Sequence, residues 1–200
     1  MSENSLILAS NSFTRAQLLK NSGVEFRQVP ANIDESDIKN SLRVDKCPTN
    51  DAAEILAELK AKSVSQAFPD ALVLGLDTML EVDLIWLSKP QTKAEVKTHL
   101  QQLRAKTHLL VTSVVAVSNG QRLWHHTETA KLTARNFSDD FITSYIAKTG
   151  DTVLSSVGAY HLEGLGVQLF SKVEGNYFTI LGLPLIPILM FLRHQDFLKS

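Results

Sequence analysis

The sequence is poor in cysteine and has almost no net charge. Its 200 residues include one cysteine, Cys47, which excludes an internal disulfide framework and a multi-cysteine metal cluster. Twenty Lys and Arg residues against 21 Asp and Glu residues give a formal net charge of -1. A chain with this balance has no overall positive field that would hold a polyanion by counterion release. We therefore expect no nucleic-acid partner, and any anion site must be local.

Long hydrophobic runs are missing as well. The most apolar stretch, residues 180–192, is too short to cross a bilayer and contains Pro184 and Pro187. The first residues, where Glu3 and Asn4 precede a strand-length apolar run, do not follow the pattern of a secretory signal peptide. Together with the single cysteine, these features predict a cytoplasmic protein with no membrane partner. The 44% hydrophobic content suffices for a core, and we expect one domain over residues 1–200.

Two common nucleotide-binding motifs are absent, but the start of the chain predicts an anion site. There is no Gly-x4-Gly-Lys loop and no Gly-x-Gly-x-x-Gly after the first strand. In "LILASNSFTRAQLL", residues 6–19, an apolar run stops at Ser10-Asn11-Ser12 and restarts with helical spacing around Arg15. Such a junction brings backbone N–H groups, hydroxyls and the positive end of a helix dipole to one point.

Strand and helix patterns alternate along the chain, which predicts an α/β fold. The Asn119-Gly120 turn signal joins two β-branched runs into a hairpin, so the sheet should be mixed rather than purely parallel. We expect residues 33–50 to form a loop, with Thr49 or Asn50 capping the next helix. The predicted strands are 6–9, 25–29, 71–76, 107–117, 121–135, 167–172 and 177–180, and the predicted helices are 16–22, 52–66, 93–103, 139–148 and 184–191.

Charged residues collect at the ends of several predicted elements. Glu35 follows the second strand, Asp77 directly follows the strand 71–76, and Lys89 precedes a proline, while Lys60 lies within a helix. Carboxylates at such positions can hold a divalent cation, and nearby cations can neutralise a phosphate. Each residue also has an ordinary alternative: a turn at Asp77, a solvated helix position for Lys60, a surface charge for Lys89 or Arg15, and a loop carboxylate for Glu35. These residues alone do not define a reaction.

Seven segments in the same order resemble one protein family along almost the whole chain. They are "LASNSFTRAQLL", "NIDES", "LAELKAKS", "LGLDTML", "LSKP", "KTHLLVTSVVAV" and "GAYHLEGLGVQLFSKVEGNYFTILGLPL". The chain resembles the Maf family of nucleoside triphosphate pyrophosphatases. The resemblance implies an elongated mixed sheet flanked by helices, with two lobes and a cleft between them. It also implies hydrolysis of the bond between the α and β phosphates of a nucleoside triphosphate, with Mg²⁺ or Mn²⁺, as part of nucleotide-pool housekeeping.

The resemblance assigns roles to particular positions of this sequence. Water attack on a phosphoryl group requires charge neutralisation more than a covalent nucleophile, which suits lysines, an arginine and a metal ion. Asp77 matches the family's proton acceptor. The implied catalytic residues are Asp77, Lys60 and Lys89, the substrate-binding residues are Ser10, Arg15, Thr14, Thr78 and Glu163, and the metal ligands are Glu35 and Asp77.

Three departures from the family pattern concern the substrate. Thr14 replaces one of two arginines in the usual Ser-Pro-Arg-Arg opening, and Ser156 replaces a lysine in the usual Asp-Lys-Ala-Gly segment. Glu163 replaces a glutamine and agrees with the branch that acts on 7-methyl-GTP, whereas Thr78 agrees with the branch that acts on dTTP and UTP.

The missing arginine and lysine leave an alternative open. A catalytically impaired, nucleotide-binding regulator of cell division would be compatible with these losses and with the second name of the family, septum formation inhibitor. The retained set of phosphate-neutralising residues and carboxylates favours the pyrophosphatase. Apolar segments such as residues 181–192 are compatible with a homodimer.

Overall fold

The protein is described here by a computed structural model, which covers residues 5–199 and has a mixed α/β fold. Within this range, seven strands form one sheet with the order β2-β1-β3-β5-β6-β7, and β4 pairs with β3. The strands are β1 (Leu6–Ala9), β2 (Arg27–Gln28), β3 (Leu72–Val82), β4 (Ile85–Leu87), β5 (Thr107–Ser118), β6 (Gln121–Ala134) and β7 (Phe170–Glu174). The helices are α1 (Phe13–Asn21), α2 (Glu35–Val44), α3 (Thr49–Ser65), α4 (Lys93–Leu103), α5 (Asp139–Thr149), α6 (Tyr177–Ile180) and α7 (Leu185–His194), with 3₁₀ helices at Thr152–Ser155 and Leu165–Leu169.

The sheet contains both strand directions, which confirms the prediction of a mixed sheet. β1 pairs in parallel with β2 and β3, whereas the pairs β3–β4 and β6–β7 are antiparallel. The neighbours β5 and β6 are joined by Asn119 and Gly120, whose φ angles are 50° and 70°. Positive φ at both turn residues matches the twist of a two-residue hairpin, and Asn and Gly are the residues that tolerate it best.

The chain divides into two compact units. The first unit comprises residues 5–77, 112–128 and 182–199, and the second comprises residues 78–111 and 129–181. Two units agree with the expected lobes, whereas the cleft between them and the single domain over residues 1–200 stay predictions. Among residues 5–199, no helix combines the length and the apolar character needed to span a membrane.

A close contact between α3 and β3 shapes the core of the first unit. Gly75 of β3 lies under α3, where an added Cβ would be 2.1 Å from the Ala57 carbonyl oxygen and 2.6 Å from the Ala61 nitrogen. Only a glycine leaves room for the helix backbone at this distance. The buried cluster around this contact comprises Ile7, Ala9, Ala57, Ala61, Val64, Ala71, Val73, Val115 and Val117. This packing brings the α3 residue next to Ala61, which is Lys60, close to β3.

The second unit has a separate core of larger side chains. It includes Leu80, Leu100, Leu132, Phe137 and Ile142, all buried. The helix α5 begins after Ser138, whose side chain accepts a hydrogen bond from the Phe141 N–H. The fully buried ring of His108 also lies in this unit, with Nε2 2.7 Å from the Tyr160 hydroxyl.

The prediction of a loop over residues 33–50 is wrong, because this segment contains α2. Asp34 caps the helix by accepting hydrogen bonds from the N–H groups of Ser36 and Asp37. Ile38, Leu42 and Val44 are the only large apolar residues of α2, and none of its residues is buried, so the polar composition of the segment indicates a loop. The next helix, α3, has Pro48 at its cap position and no side-chain cap, since Thr49 is already helical.

Four strand predictions also need correction. The strand predicted over 71–76 continues as β3 to Val82. Residues 72–75 pair with β1, residues 80–82 pair with β4, and the second part of the strand still contains buried residues such as Leu80. The strand predicted over 25–29 is limited to Arg27–Gln28, and the first part of 167–172 is a 3₁₀ helix. Residues 177–180 form α6 rather than a strand, since Asn176 caps them by accepting the Phe178 N–H.

Candidate active site

The junction between β1 and α1 has the predicted anion-binding geometry. Ser12 caps α1 by accepting the Arg15 N–H, and the Ser12 N–H donates to Ser10 Oγ at 3.2 Å. The N–H groups of Phe13 and Thr14 lie between these two in the first turn and have no acceptor within residues 5–199. The buried Ser10 hydroxyl accepts from its neighbours, which leaves its own proton for a ligand. Two amides, a hydroxyl and the positive end of a helix dipole therefore meet at one point.

Arg15 is half-buried and is held by hydrogen bonds within the first unit. Its Nε donates to the Gly182 carbonyl oxygen at 2.7 Å, and its Nη1 donates to Ser10 Oγ and to the Leu76 carbonyl oxygen, both at 3.2 Å. Burial lowers the pKa of Arg15, while Asp77 and Glu35 oppose that shift. The surface-cation alternative is therefore wrong. These bonds fix the guanidinium beside the α1 junction, and its contact with phosphate stays a prediction.

A buried lysine links two carboxylates in the same unit. Lys60 Nζ lies 2.6 Å from Asp77 Oδ1 and 2.9 Å from Glu35 Oε1. Lys60 is 8% exposed and Asp77 is 3% exposed, so the solvated-helix and turn alternatives for these residues are wrong. The predicted position of Asp77 at a strand end is also wrong, because Asp77 lies within β3. Glu35 lies in the first turn of α2, where its side chain is partly exposed.

The surroundings of Asp77 keep its carboxylate ionised. Burial favours the neutral acid, but the charges of Lys60, Lys39 and Arg15 and the hydrogen bond from Lys60 outweigh burial, so the pKa of Asp77 is lowered. Lys39 was not predicted as a site residue. It lies one turn after Glu35, with Nζ 3.6 Å from Glu35 Oε2, and the sequence offers this pair only once α2 is known to be a helix.

One oxygen of the cluster is available for a cation. Asp77 Oδ2 is buried and has no hydrogen-bond partner among residues 5–199. Buried carboxylate oxygens without a partner are costly, and a divalent cation would satisfy this one. The described residues contain no group of three His, Cys, Asp or Glu side chains suited to a metal. Mg²⁺ and Mn²⁺ sites can take one or two carboxylates and complete the coordination with phosphate and water, so a metal held by Asp77 and Glu35 stays a prediction.

The remaining predicted residues belong to the second unit, apart from Thr14. Thr14 is half-buried in the first turn of α1, next to the anion-binding junction. Thr78 is half-buried on β3, Lys89 is exposed between β4 and α4, and Glu163 is exposed with Oε1 3.8 Å from His161 Nδ1. The structure thus brings together Ser10, Arg15, Glu35, Lys60 and Asp77 within one unit, and the roles of all nine residues stay predictions.

The comparison with known families agrees with the order of the motifs. A family model described as "Maf-like protein" matches residues 5–195. The chain belongs to the Maf-like family. Among curated relatives, the Maf-like chain is 50% identical to a protein of Paramagnetospirillum magneticum named "Nucleoside triphosphate pyrophosphatase", over 94% of this chain and 97% of that protein. It is 44% identical to a protein of the same name from Granulibacter bethesdensis, over 96% and 97%.

A relative with a more specific name is nearly as similar. The Maf-like chain is 44% identical to a protein of Brucella abortus named "7-methyl-GTP pyrophosphatase", over 95% of this chain and 96% of that protein. The family predicted from the motifs is therefore confirmed, over almost the full length of both partners in each comparison.

Proposed function

We propose that the protein is a nucleoside triphosphate pyrophosphatase, which hydrolyses its substrate to the nucleoside monophosphate and pyrophosphate. The observation that supports this most is the buried Lys60–Asp77–Glu35 cluster with the unpartnered oxygen Asp77 Oδ2. The names of relatives that are 44–50% identical support the same activity. Nucleotide-pool housekeeping follows from removal of non-standard or excess triphosphates.

The α1 junction is suited to hold the substrate's phosphates. The Phe13 and Thr14 amides and the Ser10 hydroxyl donate to phosphate oxygens, and the α1 dipole stabilises their negative charge. Arg15 is already fixed beside them, which reduces the entropy lost when substrate binds. Lys89 supplies a further positive charge toward the phosphates in this proposal.

Asp77 is the residue best placed to handle the attacking water. Water attacks the α-phosphorus, the bond from that phosphorus to the bridging oxygen breaks, and pyrophosphate leaves with that oxygen. Asp77 Oδ2 accepts the proton of the water, because the lowered pKa of Asp77 keeps it ionised at neutral pH. Lys60 fixes the other oxygen, Oδ1, and so orients the carboxylate. A divalent cation, Mg²⁺ or Mn²⁺, held by Asp77 and Glu35 would supply charge neutralisation of the phosphates.

The base preference depends on Glu163 in this proposal. An ionised carboxylate only accepts hydrogen bonds, so it favours bases that offer N–H groups over the imide edge of uracil or thymine. 7-Methylguanine, which is cationic and has N1–H and N2–H donors, suits such a residue. Thr78 instead agrees with the branch that acts on the pyrimidine nucleotides dTTP and UTP, so 7-methyl-GTP must be compared directly with these two.

The experiment is a panel of canonical and modified triphosphates, including 7-methyl-GTP, UTP and dTTP, with Mg²⁺ or Mn²⁺ and identification of products. We expect monophosphate and pyrophosphate in equal amounts from at least one substrate, and loss of turnover when EDTA removes the cation. Orthophosphate and diphosphate as sole products would contradict the proposal. Nucleotide binding without any hydrolysis would favour the regulator of cell division.

A further inference from the structure

A largely covered lysine of α2 lies beside the two carboxylates of the candidate site. Only 15% of the Lys39 side chain is exposed, and its Nζ is 3.6 Å from Glu35 Oε2. Burial raises the pKa of Asp77, and the charge of Lys39 is among those that lower it. This charge lowers the pKa of Asp77 more than the charge of Arg15 does, so the ammonium lies close to the Asp77 carboxylate. Lys39 therefore belongs to the cluster and not to the outer surface of α2.

The ammonium of Lys39 has no hydrogen-bond acceptor within residues 5–199. Its ion pair with Glu35 spans 3.6 Å, which is longer than a charged N–H···O hydrogen bond. Lys60, in contrast, contacts Asp77 Oδ1 at 2.6 Å and Glu35 Oε1 at 2.9 Å. An ammonium has three N–H donors. The donors of Lys39 are thus open to an anion, whereas two of the donors of Lys60 are already taken.

The cluster carries an excess of positive charge that suits a polyphosphate. Its cations are Arg15, Lys39 and Lys60, and its carboxylates are Glu35 and Asp77, so one positive charge remains after pairing. Arg15 and Lys60 both donate hydrogen bonds to protein acceptors. Of these three cations, Lys39 is the one whose hydrogen bonds are not made within the described chain.

We propose that Lys39 is a further substrate-binding residue, whose ammonium donates to the phosphates of the nucleoside triphosphate. This inference rests on the proposed function, because it takes the α1 junction as the place of the phosphates. Arg15 Nη1 donates to Ser10 Oγ in that junction and to the carbonyl oxygen of Leu76, the neighbour of Asp77. The junction and Lys39 thus both adjoin Asp77. A triphosphate at the junction, with its reacting phosphorus beside Asp77, brings negative charge next to Lys39.

The first test measures the Kd of inorganic triphosphate, with Mg²⁺, by isothermal titration calorimetry. Loss of a charged hydrogen bond should raise the Kd of Lys39→Met about tenfold, and Lys39→Arg, which keeps the charge and the donors, should restore part of the affinity. Lys62→Met is the matched control, because Lys62 also pairs with a glutamate one turn before it, Glu58 of α3. Its Kd should equal that of wild type. An unchanged Kd in Lys39→Met, or an equal rise in Lys62→Met, would overturn the inference.

A role of Lys39 through Asp77 alone would give a different result. Removal of a nearby positive charge raises the pKa of a carboxylate. In that case, Lys39→Met would shift the acid limb of the pH profile of kcat to higher pH, and the Kd of inorganic triphosphate would stay that of wild type. This combination would also overturn the inference, because it requires no contact between Lys39 and phosphate.

The second test uses wild type and so does not depend on the folding of a variant. The protein reacts with an amine-acetylating reagent, and mass spectrometry compares the acetylation of Lys39 and Lys62 with and without saturating inorganic triphosphate. Triphosphate should protect Lys39 and leave Lys62 unchanged, whereas equal acetylation of Lys39 in both samples would contradict the contact. If wild type binds triphosphate at Lys39 but hydrolyses no nucleotide, the proposed function fails and the assignment of Lys39 as a phosphate-binding residue stands.

Discussion

Acidification should destabilise the protein measurably through one residue, His108. Its ring is fully buried in the second unit, and Nδ1 has no hydrogen-bond partner within the described part of the chain. Burial lowers the pKa of His108 to about 4, from 6.5 in an exposed ring. At pH values between these two pKa values, the ring binds a proton in the unfolded chain but stays neutral in the folded protein. The free energy of unfolding therefore decreases as the pH falls from about 6.5 toward 4.

The size of the effect follows from the two pKa values. Their difference of about 2.5, at about 1.4 kcal/mol per pKa unit, corresponds to about 3.5 kcal/mol in full, and most of it is lost by pH 4.5. Wild type should therefore lose about 2 to 3 kcal/mol more than His108→Gln between pH 7 and pH 4.5. Urea unfolding at a series of pH values measures both curves, and carboxylate protonation is common to the two proteins. His194→Gln, at the exposed end of α7, is the control and should follow wild type. Parallel curves for wild type and His108→Gln would refute the reasoning.

Three further variants test the candidate site and the packing that positions it. The Asp77→Asn variant should remain folded, as measured by circular dichroism, and its rate of pyrophosphate release should be at least about a hundredfold lower than that of wild type. Near-normal turnover would mean that a group other than Asp77 accepts the proton of the attacking water. Lys60→Met leaves the buried Asp77 carboxylate without its cation and should reduce the free energy of unfolding by about 3 kcal/mol. The control Lys62→Met removes a more exposed ion pair and should reduce the free energy of unfolding by less than about 1 kcal/mol. Equal losses in the two variants would contradict a buried pair between Lys60 and Asp77. Gly75→Ala forces a Cβ against the α3 backbone and should cost at least about 3 kcal/mol in urea unfolding, while Gly164→Ala, with its nearest atom at 3.8 Å, should cost much less.

Local signals in the sequence predicted the parts of the site that are formed by neighbouring residues. The strand, the hydroxyl residues and the helix start around Ser10 and Ser12 follow one another directly, so the strand–cap–helix geometry of this junction could be predicted from the sequence. Composition alone does not predict the helix α2, because only three of its ten residues are apolar. The segment does contain two helical signals, the spacing of Ile38 and Leu42, four residues apart, and the cap residue Asp34 ahead of Glu35.

Contacts between distant residues could not be predicted in the same way. Nothing near Arg15 in the sequence indicates that its side chain bonds to Gly182, and nothing around Lys60 indicates that it reaches Asp77 across the α3–β3 contact. The motif order did identify most of these residues as functional, but it gave no geometry. Their pairing depends on which helix packs on which strand, and in this chain the glycine at position 75 decides that distance.

The bond from Arg15 to Gly182 has a consequence for how the chain folds during synthesis. Its two residues are 167 positions apart, and the first unit takes residues from 5–77, 112–128 and 182–199. A nascent chain that has not yet reached residue 182 lacks the carbonyl that fixes the Arg15 guanidinium, whatever else has folded. The whole second unit, from residue 78 to residue 181, is therefore translated before the first unit can be completed. Such high contact order is typical of slow folding, so the Arg15 guanidinium reaches its final position only late in biogenesis.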